Sequence, residues 1–410
     1  NRLMKCRHCQ SELTLEFLDL GNAPPSNAYL EKEGLKKPEL TYPLRILTCT
    51  TCWLVQTEDY ADADTLFNKD YAYFSSTSKS WLGHAKNYCE MITKRLGLSS
   101  NSFIVEIASN DGYLLKNFVE AKIPCLGIEP TKSTADYSAK FGIRVNREFF
   151  GSKVGSRMAK NDEKADLIIG NNVFAHVPDI NDFTAGIATL LKKHGVVTLE
   201  FPHLMQLIKY NQFDTVYHEH FSYLSLSAVN SIFKSSNLKI FDVETLPTHG
   251  GSLRVYGCKN TADHEVKKTV KDILDLEENS GLKNDLTYSA FQQRANKVKD
   301  NLIRFLLDAK SDGKSVAGYG AAAKGNTLLN YAGIRKDLVS FICDASESKI
   351  GKFMPASQIP ILHPSVLEEK RPDYLIIFPW NIANEVILQN KKIAKLGTKF
   401  VIAVPKLEII

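Results

Sequence analysis

No stretch of the 410 residues approaches the roughly 20 consecutive apolar positions of a membrane-crossing helix, and the opening Asn-Arg-Leu-Met-Lys is not a signal peptide. Basic blocks are missing too. The 51 Lys and Arg against 46 Asp and Glu leave a net charge of +5 spread along the chain, which speaks against nucleic acid as main partner and tolerates an anionic small molecule. Cysteine is sparse: eight, as two close pairs near the N-terminus and four scattered ones, a pattern that suits a metal site in a reducing cytoplasm better than a disulfide framework. The expectation is a cytoplasmic, monomeric protein of two or three domains, with no membrane or nucleic-acid partner.

What is present concentrates in residues 213–223, where Tyr217, His218, Glu219 and His220 stand in four consecutive positions with Tyr223 just beyond. A surface loop has no structural reason to gather two imidazoles, a carboxylate and two phenols. Proton transfer does: His titrates near neutrality, Glu can orient it, and Tyr can donate to a developing oxyanion. A polar helix start after Asp214 accounts for the same residues taken alone. The two histidines are one residue apart rather than three, so this is not the helical zinc-protease motif.

Near the N-terminus, Cys6-x-x-Cys9 and Cys49-x-x-Cys52 form two knuckles. Each grips an ion with two thiolates from a tight turn, and together they complete a tetrahedral shell. Soft thiolates select zinc, and a filled shell leaves no position for substrate, so a structural zinc is expected. His8 reads as exposed. The Gly-, Pro- and Asn-containing stretch 21–27 should be irregular, with the metal supplying stability.

The middle reads as a doubly wound unit. Trp81, Ala85, Tyr88 and Ile92 share a face of a predicted helix over 79–96. Residues 103–108 form a predicted buried strand that breaks at Ser109-Asn110-Asp111-Gly112, and 125–128 a second that ends in Glu129. A carboxylate at that tip, about 20 residues after the first turn, can accept both ribose hydroxyls of an adenosine. Ala108 and Asn110 replace the close-approach glycines a pyrophosphate needs, which disfavours NAD here and favours S-adenosylmethionine. A strand over 166–170 runs into Asn171 and Asn172, with His176 at the edge where such folds bind ligands. A further strand, 196–202, precedes the 213–223 cluster, and His249-Gly250-Gly251 turns into a last one. The final third repeats the theme after charged packing helices over 264–309. A strand at 315–319 leads into Gly320 and Lys324 at a helix start, an anion site though not a P-loop. Asp344 follows a second strand much as Glu129 does. This unit either holds a phosphate-bearing group or duplicates the fold without a ligand.

In this order, the knuckles, Glu106 through Gly112, Gly127-Ile128-Glu129-Pro130, Tyr217 through Tyr223, His249 through Ser252, Gly318 through Asn326 and Pro379-Trp380-Asn381 resemble the S-adenosylmethionine-dependent C-methyltransferases of nucleotide-linked 4-keto-6-deoxy sugars. The resemblance covers nearly the whole chain. It implies an α/β fold: a zinc-binding domain at 1–66, a Rossmann-like methyltransferase domain at 67–282 and a second Rossmann-like, nucleotide-sugar-binding domain at 283–410. It also implies methylation of C3 beside the C4 ketone, with dTDP as the usual carrier, for branched deoxysugar biosynthesis. His220 would be the general base, Tyr217 and His176 would bind the enolate oxygen or its neighbours, Glu219 would orient the site, and Tyr71 resembles a family active-site tyrosine. Glu106, Ala108, Asn110, Gly112, Glu129, Asn171 and Asn172 would hold the cofactor; His249, Gly320, Lys324 and Asn326 the nucleotide sugar; Cys6, Cys9, Cys49 and Cys52 the zinc. Two readings compete. One is an NAD-dependent nucleotide-sugar oxidoreductase or epimerase using 318–326, which lacks Gly-x-Gly-x-x-Gly and a following Tyr-x-x-x-Lys pair. The other is a non-catalytic zinc-ribbon binding protein, against which the dense acid–base cluster speaks.

Overall fold

A computed structural model describes residues 4–59 and 74–410. Strands β1 (Leu15–Ala23), β2 (Tyr42–Thr48) and β3 (Val55–Thr57) pair antiparallel beside the cysteine knuckles. Strands β4 (Ile104–Ile107), β5 (Cys125–Ile128), β6 (Arg144–Asn146), β7 (Ala165–Asn171) and β8 (Leu191–Pro202) form a parallel sheet in the order β6-β5-β4-β7-β8. Every residue of β4 is buried, as expected of a central strand covered by helices on both faces. Glu106 is the exception in chemistry. The two-residue β9 (Ser222–Tyr223) leaves this unit and joins the N-terminal sheet, setting Tyr223 opposite Val55 of β3. β10 (Leu238–Leu246) and β11 (Ser252–Lys259) then complete the central sheet, with β11 antiparallel between β8 and β10. The strand order reverses between β4 and β7, so the carboxyl ends of these two strands open a crevice.

The same winding recurs in the last third. β12 (Val316–Tyr319), β13 (Ile342–Cys343), β14 (Ile361–Leu362), β15 (Tyr374–Ile377) and β16 (Lys399–Ile402) lie parallel in the order β14-β13-β12-β15-β16. β17 (Glu408–Ile409) pairs antiparallel on the edge. The expected α/β architecture, a zinc-type module followed by two Rossmann-like units, is the one observed.

Helix Lys79–Leu96 shows why the local pattern sufficed there. The Ser78 side chain caps its first turn by accepting from the Trp81 N–H, Gly97 ends it in the left-handed region, and Ala85, Tyr88, Cys89 and Ile92 are buried. Packing beyond the elements ties the units together. One apolar core runs from Phe17 and Leu44 through Phe213 and Val216 to Leu328 and Ile376. A second joins Cys6, Leu13 and Leu47 to Ile107, Phe174 and Leu224. Residues 213–224 are therefore gripped by both cores. Phe213, fully buried, contributes about 1.5–3 kcal/mol on its own.

Candidate active site

The crevices of the two Rossmann-like units open on residues 213–220. The Nδ1 of His220 lies 2.7 Å from the Thr215 carbonyl. A carbonyl can only accept, so Nδ1 carries the proton and Nε2 is the basic nitrogen. The Tyr217 ring lies 3.9 Å from the His220 ring, and His176 meets it nearly edge-on at 4.5 Å, centroid to centroid. His249 lies in a turn of three successive positive φ values, 50, 80 and 113°, at His249, Gly250 and Gly251. Only glycine suits the second of these. A Cβ on Gly250 would stand 2.3 Å from the Trp380 ring. The Nε2 of His249 lies 2.6 Å from the Asn172 side-chain nitrogen.

Lys324 reaches this cluster from the first turn of helix Ala323–Ala332. Its Nζ donates to the Asn381 side-chain oxygen at 2.7 Å and sits 4.4 Å from the Trp380 ring centroid. The Trp380 indole N–H donates at 2.8 Å to Asp214, whose other carboxylate oxygen is buried with no hydrogen-bond partner among the described residues. Burial sets the protonation of the whole group. It pushes His176 and His249 down to about 4, the latter helped by the Lys324 charge. His220 is pushed well below its ordinary value by burial and then by neighbouring His176. Burial likewise lowers Lys324 to about 8, against the pull of Asp214, and raises Asp214 to about 6. Each histidine and Lys324 nevertheless keeps a partly accessible edge, which marks the floor of a pocket rather than a core. At neutral pH the site offers three uncharged imidazoles and one ammonium.

The loop after β4 carries the expected cofactor residues. Ala108 and Asn110 take φ of 58 and 54°, so they adopt the backbone that glycine usually supplies, and Gly112 follows at 83°. Glu129, at the end of β5, accepts at 2.9 Å from the Asn110 N–H and at 2.9 Å from the Thr131 N–H. Asp344 repeats this clasp after β13, accepting from Ala321 and Ser346 at 2.8 Å each. Both oxygens of Glu106 and the Asn171 amide nitrogen are buried at the reversal point without partners among the described residues. Burial, then the Glu129 and Asp111 carboxylates, push the Glu106 carboxyl well above its ordinary value. These orphaned polar atoms and the open loop fit a small polar, cationic ligand such as S-adenosylmethionine. In the second unit, Gly320 turns at φ +98°, and a Cβ there would fall 2.5 Å from Pro379.

The four knuckle sulfurs all lie within 4.8 Å of one another, with Cys6 to Cys52 at 3.6 Å and Cys9 to Cys49 at 3.5 Å. A tetrahedral zinc with bonds of about 2.3 Å spaces its sulfurs by about 3.8 Å, so the set fits that ion. Gln56 donates to Cys6 at 3.3 Å, and the Thr51 and Cys52 N–H groups to Cys49 at 3.4 and 3.5 Å, as thiolates require.

Family comparison decides what such a site belongs to. Residues 247–405 match the C-methyltransferase C-terminal domain, 81–243 a methyltransferase domain, and 6–67 a zinc binding domain. The C-methyltransferase NovU of Streptomyces niveus is 34% identical over 406 residues, which is 99% of this chain and 96% of NovU. The chain belongs to the C-methyltransferase family. It is an S-adenosylmethionine-dependent C-methyltransferase with a four-cysteine zinc site, and the oxidoreductase and non-catalytic readings fall away. Two solved structures overlap part of it. Magnesium protoporphyrin IX methyltransferase from Synechocystis PCC 6803, with bound S-adenosylmethionine, covers 50% of this chain and 100% of its own at 12% identity and TM-score 0.35. YcgJ of Bacillus subtilis covers 43% and 98% at 13% identity and TM-score 0.33. No helix among the described residues is long and apolar enough to cross a membrane.

Several expectations for this C-methyltransferase change in detail. Glu219 does not orient His220; the Thr215 carbonyl does. The Glu219 carboxylate points away and accepts from the Ser26 hydroxyl at 2.9 Å. Asn326 is buried and donates to the Ser26 carbonyl at 2.7 Å, so the 24–30 segment shields it from any diphosphate. Lys324 lies with the histidines. His8 is not exposed: Nδ1 meets Asn181 at 2.8 Å and Nε2 meets Ser231 at 3.0 Å. Tyr71 lies outside the described residues. The sequence reading missed Glu200, at the end of β8, although its strand-end position matches that of Asn171. Burial works to raise the pKa of Glu200, but the His84 hydrogen bond at 2.9 Å, with Arg254 and Thr248, wins and lowers it. Trp81 stacks on that His84 at 5.0 Å and lies 5.3 Å from His249, which joins the two polar groups.

Proposed function

We propose that this C-methyltransferase methylates C3 of a nucleotide-linked 4-keto-6-deoxyhexose, with dTDP as the carrier. The observation that carries the reading is His220, whose proton is held on Nδ1 by Thr215 while Nε2 stays unprotonated at neutral pH in a pocket that also holds an ammonium group. A C–H beside a ketone is acidic enough for such a base. His220 Nε2 takes the C3 proton, and the electron pair moves onto the C4 oxygen as an enolate. Tyr217, His176 and Lys324 surround the place where that charge develops, and hydrogen bonds aimed there act at full strength because the site is largely desolvated. Bound S-adenosylmethionine supplies an electrophilic methyl, so the C3–CH3 bond forms as the S–CH3 bond breaks. The proton on His220 then returns to solvent.

Support for a nucleotide sugar comes from the second unit. Its crevice, lined by Gly320 on one side and Pro379-Trp380-Asn381 on the other, faces the same pocket, so a long substrate can place its sugar at His220 and its diphosphate in the crevice. The proposed division is a zinc domain at 1–66, a methyltransferase domain at 67–282 and a nucleotide-sugar domain at 283–410. The zinc remains structural because four thiolates fill its shell. The test is mass spectrometry of reactions with S-adenosylmethionine and freshly made dTDP-4-keto-6-deoxyhexoses. The expected product is heavier by one methylene, with NMR placing the methyl on C3. Absence of both product and solvent-deuterium exchange at C3 across the panel would refute the substrate class.

A further inference from the structure

The first zinc knuckle reaches beyond its metal shell. Arg7, between the ligands Cys6 and Cys9, turns its guanidinium into the central unit. Nη1 donates at 3.0 Å to the carbonyl of Pro178, two residues past His176. Nη2 donates at 2.9 Å to the carbonyl of Thr57 in β3, and the group lies 4.9 Å from the ring of Phe221, the residue after His220. Asp59 pairs with its outer side, and the Arg7 side chain is only 7% exposed.

The groups Arg7 touches are themselves joined. Thr57 donates through its N–H to the Phe221 carbonyl at 3.0 Å and through its hydroxyl to the His220 carbonyl. The Phe221 N–H donates at 2.9 Å to Ala175, the neighbour of His176. Gln56 links the same strand to the metal site: its side-chain oxygen accepts from the Arg7 N–H at 2.8 Å while its nitrogen donates to Cys6.

We propose that Arg7 is a positioning residue, which clamps the His176 and His220 loops together so that their rings keep the contact catalysis needs. The inference rests on the role given to His220 above. Two carbonyls and an aromatic face in fixed directions ask for a planar fork of donors, which lysine lacks. The knuckle thereby acts on the chemistry at second hand, through backbone carbonyls rather than through the ion.

The test uses the full-length, zinc-loaded protein with Arg7→Met, Arg7→Lys and Thr57→Val. Zinc content should stay at wild-type level and S-adenosylmethionine binding should be unchanged. We expect kcat to fall about 100-fold in Arg7→Met, the order a misplacement near 1 Å produces, with partial recovery in Arg7→Lys. Histidine-selective NMR titration should show His176 and His220 moving up towards ordinary values as water reaches the loosened rings, still among Tyr217, His249 and Lys324. Wild-type kcat together with wild-type titrations in a zinc-loaded Arg7→Met protein would overturn the proposal. If that variant loses zinc, Thr57→Val, which leaves the knuckle untouched, must show the same changes in smaller measure, and wild-type behaviour there overturns it equally. A His220→Asn protein run alongside isolates the base assignment. Full turnover in it would sink that assignment, while the ring titrations in Arg7→Met still decide the clamp.

Discussion

Asp214→Asn should move the alkaline limit of activity downwards. In the proposed reaction Lys324 must be protonated to stabilise the enolate, and burial has already brought its pKa to about 8. Among the described residues the anion that opposes this fall is Asp214, which sits near 6 and is therefore charged where Lys324 titrates. The two make no direct ion pair, because Trp380 takes the Asp214 oxygen and Asn381 takes the ammonium. In ion-pair contact at about 4 Å and an effective dielectric of about 20, such a pair would attract by about 4 kcal/mol. The intervening indole and the open edge of the pocket reduce that to about 1–2 kcal/mol, roughly one pH unit. An asparagine oxygen can still accept from Trp380, so the packing is preserved while the charge goes. The sign follows directly: loss of the anion lowers the Lys324 pKa, and the protonated, active form disappears at lower pH. The assay is kcat/KM from pH 5.5 to 9.5, expected to show an alkaline limb near 8 in the wild type and near 7 in Asp214→Asn. An unmoved limb, or full turnover by Lys324→Met, would falsify the reasoning.

Other outcomes follow from the same geometry. Glu129→Ala removes the acceptor for the Asn110 and Thr131 N–H groups, and calorimetry should show S-adenosylmethionine binding weakened about 10–100-fold; an unchanged Kd would deny Glu129 a cofactor role. Gly250→Ala places a methyl 2.3 Å from Trp380 at a φ of +80°, so Tm and kcat should fall together, whereas a wild-type Tm would mean the turn yields freely. His176 and His249, held near 4 when folded, take up protons below about 6.5 only on unfolding, so scanning calorimetry should show Tm falling as pH drops from 7 to 5. Stripping zinc with a chelator should lower Tm and, through Arg7 and β3, turnover as well, with metal analysis reporting one zinc per active chain.

The sequence by itself determined the elements and the chemistry within short reach. Two Cys-x-x-Cys turns bring sulfurs together wherever they occur, and a buried strand ending in a turn, followed by a second strand ending in an acid, specifies a doubly wound unit because crossover chirality leaves few alternatives. Both the central and the C-terminal unit were legible in that way, as was the gathering of His220 with Tyr217, which share one turn. Tertiary structure alone decided which distant groups meet. His220 is oriented by a backbone carbonyl, and every residue has one, so no side-chain pattern could point to Thr215. Trp380 and Lys324 converge on Asp214 from positions more than 100 residues away from it, carried by the apolar core that runs from Phe213 to Ile376. Glu219 and Asn326 looked like members of the pocket in sequence, yet both hydrogen-bond Ser26, a partner 193 and 300 residues away in the chain that no local pattern could indicate. Local spacing encodes what lies within a turn or a strand; the sites themselves depend on packing between elements, which no window of sequence contains.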